Sequence, residues 1–245
     1  MKLYWWIAVP AVLAMAVPAS MAQVQAPAGF VPLFNGRDLS GWKIPEGDNG
    51  HWKVVNGVID YDARSEATGD KNLWTEKEFG DFVLLVDWRL KATPYLYPKT
   101  RIILPDGSYK LDEHGKVINF SMPDSDSGIL LRGGPQVNIW CWPVGSGELW
   151  QVRLNKKNPP EVRAAAVPKT HADHNIGEWN TFRITLRGDR VTVVLNGKTV
   201  IDHAQMPGIA RRGPIGLQHH GRWADGKWVG PPALVQFRNI FIKEL

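Results

Sequence analysis

Trp179-Asn180-Thr181-Phe182-Arg183-Ile184-Thr185-Leu186-Arg187-Gly188-Asp189-Arg190-Val191-Thr192-Val193-Val194-Leu195-Asn196-Gly197-Lys198-Thr199-Val200-Ile201-Asp202 is the stretch that decides the fold class. Gly188-Asp189 and Asn196-Gly197 separate three runs rich in β-branched and apolar residues. Asn-Gly accepts the positive φ angles of a tight hairpin turn. The stretch therefore predicts a three-stranded meander. The same pattern recurs outward from it. Asn56-Gly57 separates Trp52–Val55 from Val58–Tyr61. Further strands are expected at Phe79–Leu90, Ser127–Arg132, Gln136–Trp142, Ile215–His219 and Val235–Lys243. No long segment shows clean helical periodicity. Many short strands at this spacing predict an all-β sandwich.

The chain has 245 residues and 12 tryptophans. Lys2, the apolar run Leu3–Val17 and the small residues of Ala19-Ser20-Met21-Ala22 predict a signal peptide over 1–22. The run is short for a membrane span, so no membrane attachment is expected after its removal. The expected location is periplasmic or secreted, in a bacterium. The remainder, 23–245, reads as one domain. Within it, 94–123 carries Pro94, Pro98, Pro105, Asp106-Gly107, Gly115 and Pro123, and reads as an inserted loop or hairpin beside a site. The formal charge of +5 falls by one, to +4, without Lys2, and the basic residues are scattered. Scattered charge does not call for a nucleic-acid partner. Gly-x-Gly-x-x-Gly and Gly-x-Ser-x-Gly motifs are absent, which removes support for nucleotide binding and for a serine-hydrolase elbow. Cys141 is the sole cysteine and cannot form an internal disulfide. Oligomeric state is not legible in the sequence.

Alternation along a strand identifies the candidate site. Asp126, Gly128, Leu130 and Arg132 share one face of their strand. On the next strand Gln136, Asn138, Trp140 and Trp142 share one face, opposite the core-type set Val137, Ile139 and Cys141. Amides, a carboxylate, a guanidinium and indoles make an unusual core but suit a sugar, which has polar hydroxyls and an apolar C–H face. A solvated outer face is the competing reading. Glu148 and Trp150 follow the polar strand, and Glu148 is a candidate acid or base. In Gln218-His219-His220-Gly221, adjacent histidines point to opposite faces, so one of them reaches a given pocket. His171, Asp173 and His174 have a spacing a metal could use, in a loop whose plainer reading is solvation.

Phe30-Val31-Pro32-Leu33-Phe34-Asn35-Gly36-Arg37-Asp38-Leu39-Ser40-Gly41-Trp42 resembles the opening motif of the 3-keto-disaccharide hydrolase family. Further similar motifs run in order through Leu73–Phe82, Asp126–Gly133, Gly177–Asn180, Leu195–Gly197, Gly213–Gly221 and Phe237–Ile240. The resemblance implies a concanavalin A-like jelly-roll β-sandwich of two antiparallel sheets. It also implies cleavage of 3-keto-glycosides: abstraction of the C2 proton, elimination at C1, and rehydration for net hydrolysis. Many members carry an acidic residue then Gln where this chain has Gln136 and Asn138, and Asp where His219 stands. The Pro94–Pro123 segment is not general to them. Under this resemblance the candidate roles are His220 as base, Glu148 as acid to the leaving oxygen, and Arg132 or a divalent metal as enolate stabiliser. Asp126, Gln136, Asn138, Trp140, Trp142, Trp150, Gln218 and His219 are the expected contacts to a 3-keto-sugar or other saccharide.

A non-catalytic carbohydrate-binding module of a secreted glycan-degrading system is the alternative, because Trp140, Trp142 and the amides would suffice for binding. An endoglucanase of the same fold would show three acids in a Glu-x-Asp-x-x-Glu-like run, and none occurs.

Overall fold

A computed structural model describes residues 25–245, and the expected signal segment, 1–22, lies outside the described residues. The strands in chain order are β1 (Val31–Pro32), β2 (Trp42–Lys43), β3 (Trp52–Val55), β4 (Val58–Tyr61), β5 (Leu73–Phe79), β6 (Phe82–Leu90), β7 (Tyr95–Arg101), β8 (Asn119–Asp124), β9 (Ser127–Leu130) and β10 (Gln136–Ile139). Helices α1 (Trp150–Leu154) and α2 (Pro160–Ala165) follow. The chain ends with β11 (Asn180–Arg187), β12 (Arg190–Leu195), β13 (Lys198–Gln205), β14 (Gly213–Leu217), β15 (Arg222–Ala224), β16 (Lys227–Val229) and β17 (Val235–Glu244).

The meander forms as β11–β12–β13 at one end of an eight-stranded sheet ordered β13-β12-β11-β6-β17-β4-β3, with β1 beside β17. Its Asn196-Gly197 turn has φ of 50° and 80°, and the β3–β4 turn Asn56-Gly57 has 50° and 78°. Both match the turn geometry that Asn-Gly favours. The second sheet has five strands, β10-β9-β14-β5-β2. The two antiparallel sheets form a β-sandwich of the concanavalin A-like jelly-roll class. Between them lie Phe182, Ile184 and Val193 from the larger sheet and Ile129, Val137, Ile139 and Leu217 from the smaller. Trp52 stacks on Tyr61 at 3.7 Å at one end of this core.

One expected strand divides, the expected hairpin forms, and two short helices are added. Phe79–Leu90 is not one strand, because Gly80-Asp81 turns the chain from β5 in one sheet to β6 in the other. The 94–123 segment is a separate hairpin, β7–β8. Helices α1 and α2 have five and six residues, too short to show a periodic signal in the sequence.

Arg132 is not part of the polar sheet face. Strand β9 ends at Leu130, and Arg132 has φ of 50°. A left-handed residue breaks the alternation that would have kept Arg132 in line with Asp126 and Gly128. Its guanidinium instead donates to Gly80 O (2.8 Å), Gly188 O (2.7 Å), Ala210 O (3.1 Å) and Asp81 Oδ1 (2.7 Å). These partners come from turns of both sheets, so Arg132 ties the sandwich together at one edge. Arg132→Met strands those carbonyls and should lower stability by about 3 kcal/mol. Urea unfolding checks this, and an unchanged midpoint would remove the tie.

Candidate active site

The site is built on the face of the five-stranded sheet that points away from the core. β10 pairs with β9 so that Asn138 lies opposite Gly128 and Gln136 opposite Leu130. Val137 and Ile139 fill the core, and Gln136 and Asn138 take the other face. Gln136 Nε2 donates to Asn138 Oδ1, which leaves the Asn138 NH2 as a donor for another partner. Gln218 lies across from them, over Gly128. A Cβ on Gly128 would stand 3.2 Å from Gln218 Oε1 and 3.1 Å from Val137 O, so glycine here makes room for the amide. Trp140 and Trp142 continue the row as a stack, their ring centres 4.4 Å apart and their planes 4° from parallel. Their indole N–H groups donate to Gly145 O and Asp124 Oδ2.

A cleft of about 420 Å³ brings together Asp126, Gln136, Asn138, Trp140, Trp142, Trp150, Gln218 and His220. Trp150 is 41% exposed and forms its rim. Sequence reasoning missed Asp124, Pro231 and the three side chains Tyr97, Arg101 and Tyr109. The last three come from the 94–123 segment, whose proline and glycine pattern was the one signal that something approaches the site.

His220 is held by a single strong contact. Its Nδ1 lies 2.7 Å from Pro231 O. A carbonyl only accepts, so Nδ1 carries a proton, and in the neutral imidazole the lone pair then belongs to Nε2. Nε2 stands 3.9 Å from Asp126 Oδ2. The hairpin β15–β16 leaves the site at Gly221 and returns just before Pro231. Gly221 has φ of 71°, and a Cβ there would lie 2.8 Å from Pro231 O. Glycine is therefore what lets the carbonyl reach the ring.

Burial sets the electrostatics. The Asp126 side chain is 16% exposed. Burial pushes its carboxyl up to about 7, against the opposing pull of His220. Burial pushes Asp124 up to about 6, against the N–H groups of Cys141 and Trp142. The Cys141 thiol is pushed up to about 12 by burial and by Asp124, so it is not a thiolate near neutral pH.

Two candidate residues lie outside the cleft besides Arg132. Glu148 is fully buried and its Oε1 accepts from Arg153 Nε. The chain after β10 folds back, with Gly147 N–H donating to Asn138 O and Asn138 N–H to Glu148 O. That return turns the Glu148 side chain under the site floor, where burial raises its carboxyl against the pull of Arg153. His219 faces the core side, with the Tyr61 hydroxyl 2.6 Å from its Nδ1. Burial, then Lys71, lowers it to about 4, so it stays neutral, edge-on to the Tyr61 ring. A second hollow of about 320 Å³ lies beyond Trp140 and includes His171, Asp173 and His174. Among the described residues, no group of three or more His, Cys, Asp or Glu side chains is placed to hold a metal ion.

Residues 29–243 match the model of the 3-keto-alpha-glucoside-1,2-lyase-like domain. The chain belongs to this family. Membership supports a carbohydrate-active, glycosidase-like role. Two solved structures from Parabacteroides distasonis ATCC 8503, both provisionally named glycosyl hydrolases, share the fold. One is 23% identical with a TM-score of 0.56, covering 90% of this chain and 85% of its own. The other is 21% identical with a TM-score of 0.53, covering 89% and 94%. Comparison with curated proteins finds no match. Within the family, the match spans the amide row, the indole pair and His220.

The raised carboxyls make stability depend on pH. Between their unfolded values and about 7, the folded state binds more protons than the unfolded state. Their contribution is thus present at acidic pH and lost as pH rises toward 7. Asp126→Asn should gain ~1–3 kcal/mol at pH 8 relative to its effect at pH 4. Thermal melts of both proteins at the two pH values check this, and an effect independent of pH contradicts it.

Proposed function

We propose that this protein cleaves 3-keto-glycosides, with His220 as the base that removes the proton on C2. The observation that carries this reading is the His220 ring, its Nδ1 donating to Pro231 O and its Nε2 facing Asp126, inside a cleft walled by amides and stacked indoles. A ketone at C3 acidifies the C2 hydrogen. His220 takes that proton, and the electron pair delocalises onto the C3 oxygen as an enolate. The enolate collapses to a C1–C2 double bond as the C1–O bond breaks. The leaving oxygen takes a proton, and the product is an unsaturated 3-ketone. Water adding at C1, with a proton returning to C2, completes a net hydrolysis.

With Glu148 under the floor, Asp126 is the acid for the leaving oxygen. Its Oδ1 is buried with no protein donor, as suits a carboxyl that holds its own proton. The Asn138 and Gln218 amides are the enolate's hydrogen-bond donors in place of Arg132. Trp140 and Trp142 orient the sugar. The pair of groups that chemistry requires here is a base and an acid set close together, not the two spaced carboxylates of an ordinary glycosidase. A periplasmic or secreted location fits a saccharide substrate of this kind.

His220→Ala should lower turnover of a 3-keto-glucoside ~10²–10⁴-fold while leaving the fold intact; unchanged turnover rejects the base assignment. Gly221→Ala pushes Pro231 O off the ring and should lower turnover ~10-fold or more. Nitrogen-15 NMR should find the proton of neutral His220 on Nδ1 in the native protein and shared between both nitrogens in Gly221→Ala. A native Nε2–H tautomer would contradict the assignment.

A further inference from the structure

We propose that the cleft selects a glycoside carrying an anionic oxygen group, and that Arg101, brought in by the inserted hairpin, is the residue that recognises it. The proposal rests on the cleft being the sugar site and adds the class of sugar it takes.

The inserted hairpin is a fixed wall. Ile103 packs with Trp140, Trp142 and Val167 in a second apolar cluster, joined by Tyr97 and Tyr109. Arg153, buried and paired with Glu148, donates to Gly107 O (3.3 Å) and to the Tyr109 hydroxyl (3.3 Å). Gly107 has φ of 83° and lies so close to α2 that a Cβ would stand 3.2 Å from Arg163 O. Glu148, expected to be an acid, thus serves as the counter-charge of the clamp that holds the hairpin down.

That clamp fixes Tyr109, and Tyr109 fixes Arg101. The Arg101 guanidinium lies 4.7 Å from the Tyr109 ring centre, and its Nε donates to Asn119 Oδ1 at 3.3 Å. Stacking sets the plane of the fork before any ligand arrives. Among the described residues, Arg101 is the one permanent cation lining the cleft, and no carboxylate pairs with it. Asp124 is engaged by Cys141 N–H and the Trp142 indole, and Asp126 faces His220. A half-buried guanidinium without a counter-charge is costly, and a ligand anion would supply one. The neutral hydroxyls of a sugar already have Gln136, Asn138 and Gln218.

Position gives the part of the ligand that is recognised. Tyr95 pairs with Asp124 at the base of the hairpin, and Arg101 pairs with Asn119 six residues further along β7. That is roughly 15–20 Å of strand. Arg101 therefore meets the leaving group or a distal sugar, away from the carbons that react beside His220. A carboxylate, sulfate or phosphate would each match the planar fork.

Calorimetry with phenyl, 4-carboxyphenyl and 4-sulfophenyl glucosides tests this on the full chain. The anionic glucosides should bind about 10–100-fold tighter than the phenyl glucoside. The ratio should shrink at high salt and fall to about one in Arg101→Gln. Arg101→Lys, which keeps the charge without the fork, should retain part of it. The carboxylate and sulfonate arms tell which anion geometry is preferred. Equal affinity for charged and neutral glucosides, or a ratio that survives Arg101→Gln, overturns the proposal. Turnover of the 3-keto counterparts is read separately. An intact ratio without turnover sinks the cleavage reading alone; turnover without a ratio sinks this one alone.

Discussion

Everything at the site depends on one strand having two opposite faces. Val137 and Ile139 are completely buried between the sheets. Burying each is worth about 1.5–3 kcal/mol. A slip of one residue would move them to the polar cleft wall and drive Gln136 and Asn138 into the core, at ~1–3 kcal/mol for each unpaired polar group. The register of β10 is therefore fixed by its apolar residues, and the amides inherit their positions from it. Gly128 extends the same constraint to the neighbouring strand by leaving space for Gln218.

Around this row the protein separates two acids by environment. Asp126 lies in the cleft beside His220 and is held near neutral by burial. Glu148 lies beneath, locked to Arg153, which in turn holds the inserted hairpin. The two carboxyls are near in the fold, yet one faces the cleft and the other steadies its wall. His220 gains its role from a backbone carbonyl, Pro231 O, delivered by a hairpin that only a glycine at 221 permits.

The parts of this arrangement that were legible in the sequence are those set by local chemistry. Asn-Gly turns marked the meander and the β3–β4 hairpin, and alternation separated Gln136 and Asn138 from Val137 and Ile139. Alternation also required that His219 and His220 diverge, but only the Tyr61 hydroxyl, held by the stack with Trp52, decides which one turns away from the cleft. Arg132 was misplaced because one left-handed residue ended the strand early. Glu148 was misplaced because its partner, Arg153, belongs to a five-residue helix with no periodic signature. Arg101 and Tyr109 reach the cleft through contacts distant in the chain, which no local pattern records.

On the proposed route, bond cleavage begins with loss of the C2 hydrogen. The direct measurement is the isotope effect on kcat/KM for a 3-keto-glucoside deuterated at C2, run beside its unoxidised parent. Proton abstraction by His220 should give a primary isotope effect, exchange of the C2 position with solvent, and no cleavage of the parent. Cleavage of the unoxidised glucoside at a comparable rate, with no isotope effect at C2, would contradict it.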